Sequence, residues 1–215
     1  MDLMLYKNEI EEELLRYSNQ CVKENEYDYT TFGKEIEPIL SEGLRFYFMS
    51  KFNFSESDFY EAPNKNHFPD FTLCREIAIE FKAAVYNRKP ENDMGTINSW
   101  SSKLKEYGDN IYYIFVKYST VNTYVNIEDV FFDKVYRFIG LNSAGFLRYR
   151  EKDGNLRPKS WEDFDNAYTY CDSLMEFQEG LRKSESYRAR RLVEKHFPDV
   201  SEEDRRIIKE KYFDN

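Results

Sequence analysis

Asn66-His67-Phe68-Pro69-Asp70-Phe71-Thr72-Leu73-Cys74-Arg75-Glu76-Ile77-Ala78-Ile79-Glu80-Phe81-Lys82-Ala83-Ala84 is the stretch on which the reading of the fold turns. Residues 70–74 and 76–84 read as two adjacent β-strands. Side chains alternate across a strand, so Ile77, Ile79, Phe81 and Ala83 fall on one side. Glu76, Ala78, Glu80, Lys82 and Ala84 fall on the other. Glu80 and Lys82 thus share a face, and a short return between the strands sets Asp70 next to Glu80.

Working outward, Ile111-Tyr112-Tyr113-Ile114-Phe115-Val116 is apolar on both faces, as a central buried strand is. Between it and the first pair, Asn98 or Ser99 caps a short helix running to about Tyr107. A further strand is expected over Thr123–Phe132. Upstream, Leu3, Tyr6, Ile10, Leu14 and Tyr17 recur at helical spacing, and Ile36, Ile39, Leu40, Leu44 and Phe48 mark a second helix over 34–50. Downstream, helices are expected over 161–180, 184–196 and 201–212. Ser201 with Asp204 resembles an N-terminal cap. This order predicts an α/β fold: a mixed central sheet flanked by helices, with a β-hairpin and a helical C-terminal part. The chain reads as one domain over 1–215. Its parts are a helical segment at 1–50, a sheet core at 66–132, a hairpin at 146–160 and helices at 161–215.

Bulk composition narrows the class. The 215 residues are 41% hydrophobic and 33% charged, which excludes a wholly disordered chain. Aromatics make up 18%, and core packing accounts for most of them. The net charge is −9, yet residues 1–42 alone carry −7, so a basic groove elsewhere remains compatible with it. Three scattered cysteines and two histidines leave no zinc pattern and suit a reducing compartment. The N-terminus lacks a signal-peptide layout, and no apolar run approaches the roughly 20 residues that span a bilayer. The chain reads as soluble and cytoplasmic.

Two carboxylates and an ammonium in one pocket are poor structural economy, but they suit phosphodiester hydrolysis. That reaction calls for a hard cation to neutralise charge on the phosphate and activate water. Mg²⁺ takes oxygen ligands, often one or two carboxylates plus water and phosphate. A nearby lysine orients the water and offsets developing negative charge. Pro69-Asp70 followed by Glu80-Phe81-Lys82 resembles the signature of the PD-(D/E)XK nuclease superfamily. The resemblance implies that Asp70, Glu80 and the Phe81 carbonyl bind Mg²⁺, that Lys82 assists the nucleophilic water, and that the product carries a 5′-phosphate. It also makes Glu42, on the preceding helix, a candidate near the metal, against the plainer reading of a solvated helix glutamate. His67 reads as a loop residue first and a cleft residue second.

A second signal is basic. Arg148-Tyr149-Arg150-Glu151-Lys152-Asp153-Gly154-Asn155-Leu156-Arg157-Pro158-Lys159 has Asp-Gly between alternating runs, the pattern of a two-residue hairpin turn. Lys152 then opposes Asn155, Arg150 opposes Arg157 and Arg148 opposes Lys159. These six residues make one face that carries no acid. A face of like charges suits a polyanion, and a two-stranded ribbon fits the major groove. The ordinary alternative is a solvated hairpin whose charges protect an edge. Residues 182–195 carry +4 and either grip phosphates or pair with the acidic N-terminal helix. The loop Asn92–Trp100 follows the candidate catalytic strand. Its Asn98 and Ser99 are DNA-contact candidates by the same resemblance, or simply a turn and a helix cap.

Together these features point to a type II restriction endonuclease acting on double-stranded DNA with Mg²⁺. A palindromic target implies a homodimer. No P-loop is present, so no nucleotide cofactor is expected. The alternatives are another nuclease of the superfamily, in repair, recombination or phage defence, and a non-catalytic nucleic-acid-binding protein.

Overall fold

The computed structural model describes the chain except residues 26, 28–30, 63–66, 122–123, 165–169, 197–198 and 213–215. Asn66 and Thr123, which bound two of the expected segments, lie outside the described residues. A 3-10 turn, Leu3–Tyr6, leads into α1 (Lys7–Glu24), which is followed by α2 (Phe32–Phe52). The strands are β1 (Phe59–Glu61), β2 (Phe71–Leu73), β3 (Ile77–Val85), β4 (Ile111–Val121) and β5 (Tyr124–Lys134). Helix α3 (Trp100–Tyr107) connects β3 to β4. Helices α4 (Val135–Phe138), α5 (Leu174–His196) and α6 (Glu202–Tyr212) follow the sheet.

The five strands lie in the order β1-β2-β3-β4-β5. Only β3 and β4 run parallel, joined by the α3 crossover; the other neighbours are antiparallel. The expected mixed sheet flanked by helices is therefore the observed architecture. Alternation along β3 divides its side chains between two cores. Ile77, Ile79 and Phe81 pack with α1 and α2 beside Leu14, Leu40 and Phe48. Ala78 faces the second core with Trp100, Tyr113, Phe115, Phe138 and Phe177. β4 supplies both cores, which is why 111–116 is apolar throughout.

The C-terminal helices depart from the expected pattern. The segments expected over 161–180 and 184–196 are instead a 3-10 turn at Trp161–Asp163 and one continuous helix, α5. Phe177, Gly180, Leu181 and Ser184 form its buried stripe at three- and four-residue spacing. Ser184, where the sequence predicts a helix start, is inside the helix: its Oγ accepts the Leu147 N–H at 2.8 Å. Trp100 and Phe177 meet edge to face at 5.3 Å, which ties α5 to α3. The Ser201 cap forms as expected, with its Oγ accepting the Asp204 N–H at 3.1 Å. No described helix is long and apolar enough to cross a membrane.

Candidate active site

β2 and β3 form a tight hairpin whose return passes through Cys74 and Arg75, both left-handed at φ 53° and 59°. The register pairs Phe71 with Ile79, and one step further sets Asp70 opposite Glu80. β2 begins only at Phe71, so β3 loses its neighbour beyond Ile79. The Phe81 N–H, which a longer β2 would have paired, instead donates to Asp70 Oδ2 at 2.8 Å. Within a strand, N–H and C=O of one residue face the same neighbour, so the Phe81 carbonyl is turned to the same open edge.

Glu80 is held from two sides. The Asp70 N–H donates to its Oε2 at 3.3 Å, and Lys82 Nζ donates to its Oε1 at 2.7 Å. The side chains of Glu80 and Lys82 are only 12% and 16% exposed, so this ion pair is poorly screened. Burial, with the Glu80 charge adding to it, pushes the Asp70 carboxyl up to about 7 against the pull of Lys82 and the Phe81 N–H. Burial works against the Lys82 ammonium, but Glu80, Asp70 and Glu37 outweigh it and hold its pKa above the ordinary value. Tyr113, fully buried beneath the pair, has its phenol raised by desolvation and by both acids.

A cleft lined by Glu37, Ser41, Arg45, Glu61, Asp70 and Phe81 opens onto this edge. Its helical acid near the site is Glu37. Burial raises the Glu37 carboxyl, and the Lys82 and Glu80 charges act on it from across the cleft. Glu42, five residues on, is exposed, lines the same cleft and lies near the Tyr17 phenol of α1, whose pKa it helps to raise. Helical phase was the signal: Glu37, Ser41 and Arg45 lie at i, i+4 and i+8 on one face. His67 is exposed.

The donor set suits a hard cation. Asp70 and Glu80 bring two carboxylates and Phe81 one carbonyl, all oxygen, with one lysine against two charges. Among the described residues there is no group of three or more His, Cys, Asp or Glu side chains that would hold a metal by itself. A two-carboxylate site therefore leaves positions for water and phosphate oxygens.

The basic segment differs from the expected ribbon. Tyr149 pairs with Leu156, and Arg150 N–H donates to the Asn155 carbonyl at 2.8 Å. Residues 151–154 therefore form a four-residue loop, with Gly154 at φ 75°, in place of a two-residue turn. Arg148 faces Arg157, and Lys159 is displaced from their face. Lys159 is 3% exposed, donates to the Asp163 carbonyl and lies 4.0 Å from the Tyr170 ring centroid. Nor is the segment a free ribbon. The loop after β3 runs beside it, with Met94 N–H on the Leu156 carbonyl at 3.1 Å and Leu156 N–H on the Gly95 carbonyl at 2.9 Å. Asp93 pairs with Arg150 at 3.1 Å and Arg157 at 2.9 Å, and Asp153 also binds Arg150. Like charges are tolerated across the ladder because acids from outside the alternating pattern neutralise them. Arg148 and Lys152 remain exposed.

Arg157 is 12% exposed and depends on Asp93 for its ion pair. Asp93→Ala is expected to lower stability by about 1 kcal/mol through the uncompensated guanidinium, read as a shifted urea midpoint with unchanged slope. No shift would mean that Arg157 finds water freely.

The other candidates fall elsewhere. Asn98 is exposed and lines a separate cleft with Lys105, Gln178 and Arg182. Ser99 precedes α3 without capping it; its Oγ donates to the Thr96 carbonyl at 2.8 Å. The basic stretch 182–195 makes its ion pairs with Glu179 and with Glu151 of the hairpin loop, so among the described residues it does not pair with α1.

No protein-family model matches the sequence. No curated protein matches it either. Among solved structures the fold is similar to "NlaIV restriction endonuclease", with a TM-score of 0.56 and 19% identity, over 72% of this chain and 65% of that one. The match thus spans just under two thirds of that enzyme's length. At this identity the likeness is one of architecture, and on that ground the chain has a restriction-endonuclease-like fold: a mixed five-stranded sheet between layers of helices.

Proposed function

We propose that the chain is a Mg²⁺-dependent nuclease that hydrolyses phosphodiester bonds of double-stranded DNA. In its finer form the proposal is a type II restriction endonuclease. One observation carries it: at the edge that β3 exposes where β2 begins, Glu80 accepts from both the Asp70 N–H and Lys82 Nζ, while the Asp70 carboxylate accepts from the N–H of Phe81, the residue after Glu80. The restriction-endonuclease-like fold supports the same reading.

The chain's own groups divide the work. Asp70 is anchored by the Phe81 N–H with one oxygen left to the cleft. Glu80 is fixed between the Asp70 N–H and Lys82, and the Phe81 carbonyl adds a third oxygen donor on the same edge. Magnesium held there would supply positive charge to the scissile phosphate and lower the pKa of the attacking water. Lys82 is placed to orient that water and to offset charge as the phosphorus–oxygen bond to the leaving 3′-oxygen lengthens. Lys152 and Arg148, whose Nη1 donates to the Pro158 carbonyl at 2.7 Å, are both exposed and can offer their charge to phosphate, a contact that is sequence-independent. A palindromic target would bring two copies together about a two-fold axis.

The test is incubation of the purified chain with a long duplex and Mg²⁺, followed by sequencing of the fragment ends. Discrete bands with 5′-phosphates at one repeated sequence support the full proposal. Cutting confined to junctions, nicks or flaps makes it a structure-selective nuclease. No cutting under any divalent ion, with duplex binding intact, overturns catalysis.

A further inference from the structure

α3 carries an apolar stripe of Trp100, Leu104 and Tyr107, and Lys103 falls inside it at i+3 from Trp100. A lysine in such a position ordinarily snorkels to water. Here Nζ instead lies 3.8 Å from the Phe68 ring centroid and 4.6 Å from that of Trp100. The backbone closes in from a third side: a Cβ added to Gly95 would stand 2.8 Å from Nζ. Among the described residues, no carboxylate lies within ion-pair distance of this ammonium and no hydrogen-bond acceptor takes its protons. Yet it lies near the candidate active site, where the charges of Glu80, Lys82 and Asp70 all act on it, and Phe68, the ring it covers, is two residues before Asp70. Burial pushes its pKa down to about 8.

A cation clasped by two aromatic faces is fixed in place while its N–H groups stay free. That arrangement costs desolvation without an ion pair in return, which is the signature of a group waiting for an anion. Of the anions that enter a nuclease cleft, the phosphodiester is the one present at every turnover. Lysine binds phosphate as a point charge, without the planar fork that arginine needs. We propose that Lys103 is a second cation of the active centre, and that its ammonium takes a non-bridging phosphate oxygen of the DNA backbone at the cleavage position. The inference rests on the nuclease reading above and adds a residue and a ligand to it.

The experiment measures duplex binding in EDTA, where no cleavage occurs, as a function of salt. Each phosphate contact adds about 0.9 to the slope of log K against log salt. Lys103→Met keeps the packing on Phe68 and Trp100 and removes the charge; its slope is expected to fall by about 0.9. Lys103→Arg is expected to restore the slope. An unchanged slope in Lys103→Met, even with weaker binding, makes Lys103 a packing residue and overturns the inference alone. A wild-type chain that neither binds nor cuts duplex DNA overturns both proposals. Should Lys103→Met fail to fold, amine acylation of the wild-type chain decides. DNA is expected to protect Lys103 but not Lys105, which is exposed on the same helix. Equal labelling of Lys103 with and without DNA sinks the proposal.

Discussion

Lys82→Met is expected to reduce DNA cleavage by about 10²–10³-fold, the loss typical of removing one preorganised charge from a transition state. Duplex binding is expected to stay within a few-fold, because Lys82 is 16% exposed and sits behind the carboxylates rather than on the outer surface. The substitution also leaves Glu80 and Asp70 facing one another without the cation that offsets them. Removing one partner of a buried pair costs more than the pair was worth, since the remaining charge stays desolvated. The metal-free variant is therefore expected to melt below the wild type. Mg²⁺ is expected to raise its melting point by more than it raises that of the wild type, because ligand that binds only the folded state stabilises by mass action. Cleavage by Lys82→Met at the wild-type rate would remove Lys82 from the chemistry. Equal Mg²⁺ shifts in the two proteins would show that the ion binds elsewhere.

The candidate catalytic strand is legible in the sequence because its logic is local. Period-two alternation puts Glu80 and Lys82 on one face, and a two-strand return sets Asp70 opposite. The register observed from Phe71–Ile79 follows from the same count. What stayed hidden depended on partners distant in sequence. The hairpin looked like an uncompensated basic face because Asp93, which neutralises Arg150 and Arg157, lies more than fifty residues upstream. Asp-Gly favours a two-residue turn, but backbone bonds from Met94 and Gly95 hold Leu156 in another register. α5 ran through the expected break because Gly180 and Ser184 face a tight contact with Leu147, where small residues fit and where no chain end is needed. Glu37 and Lys103 were within reach. Glu37 shares a polar face of α2 with Ser41 and Arg45 at i+4 and i+8, and Lys103 breaks the otherwise apolar stripe of α3; helical phase offers both marks.

Asp70→Asn is expected to abolish cleavage and yet to make the metal-free protein more stable at neutral pH. Burial and the neighbouring Glu80 charge hold the Asp70 carboxyl at about 7 in the folded chain, against an ordinary value near 4 once unfolded. Between those values the folded state binds the proton that the unfolded state has released. Stability then falls as pH rises across that window, the reverse of an aspartate held low by a salt bridge. The full shift would correspond to about 4 kcal/mol. Water entering the open edge and relaxation of the Glu80 pair bring the expectation to about 1–2 kcal/mol. Asparagine keeps an oxygen for the Phe81 N–H and removes the charge, so its stability in EDTA is expected to be flat from pH 4 to 7 on this account. Saturating Mg²⁺ is expected to reverse the order of the two proteins, since the carboxylate that destabilises the metal-free site is the one proposed to bind the ion. An Asp70→Asn variant that is less stable than wild type at pH 7 in EDTA would mean that Asp70 holds the fold together rather than storing repulsion at its edge. On the proposed reading, a site that binds a divalent cation is strained without it, and this pair of melting curves reads that strain without any cleavage assay.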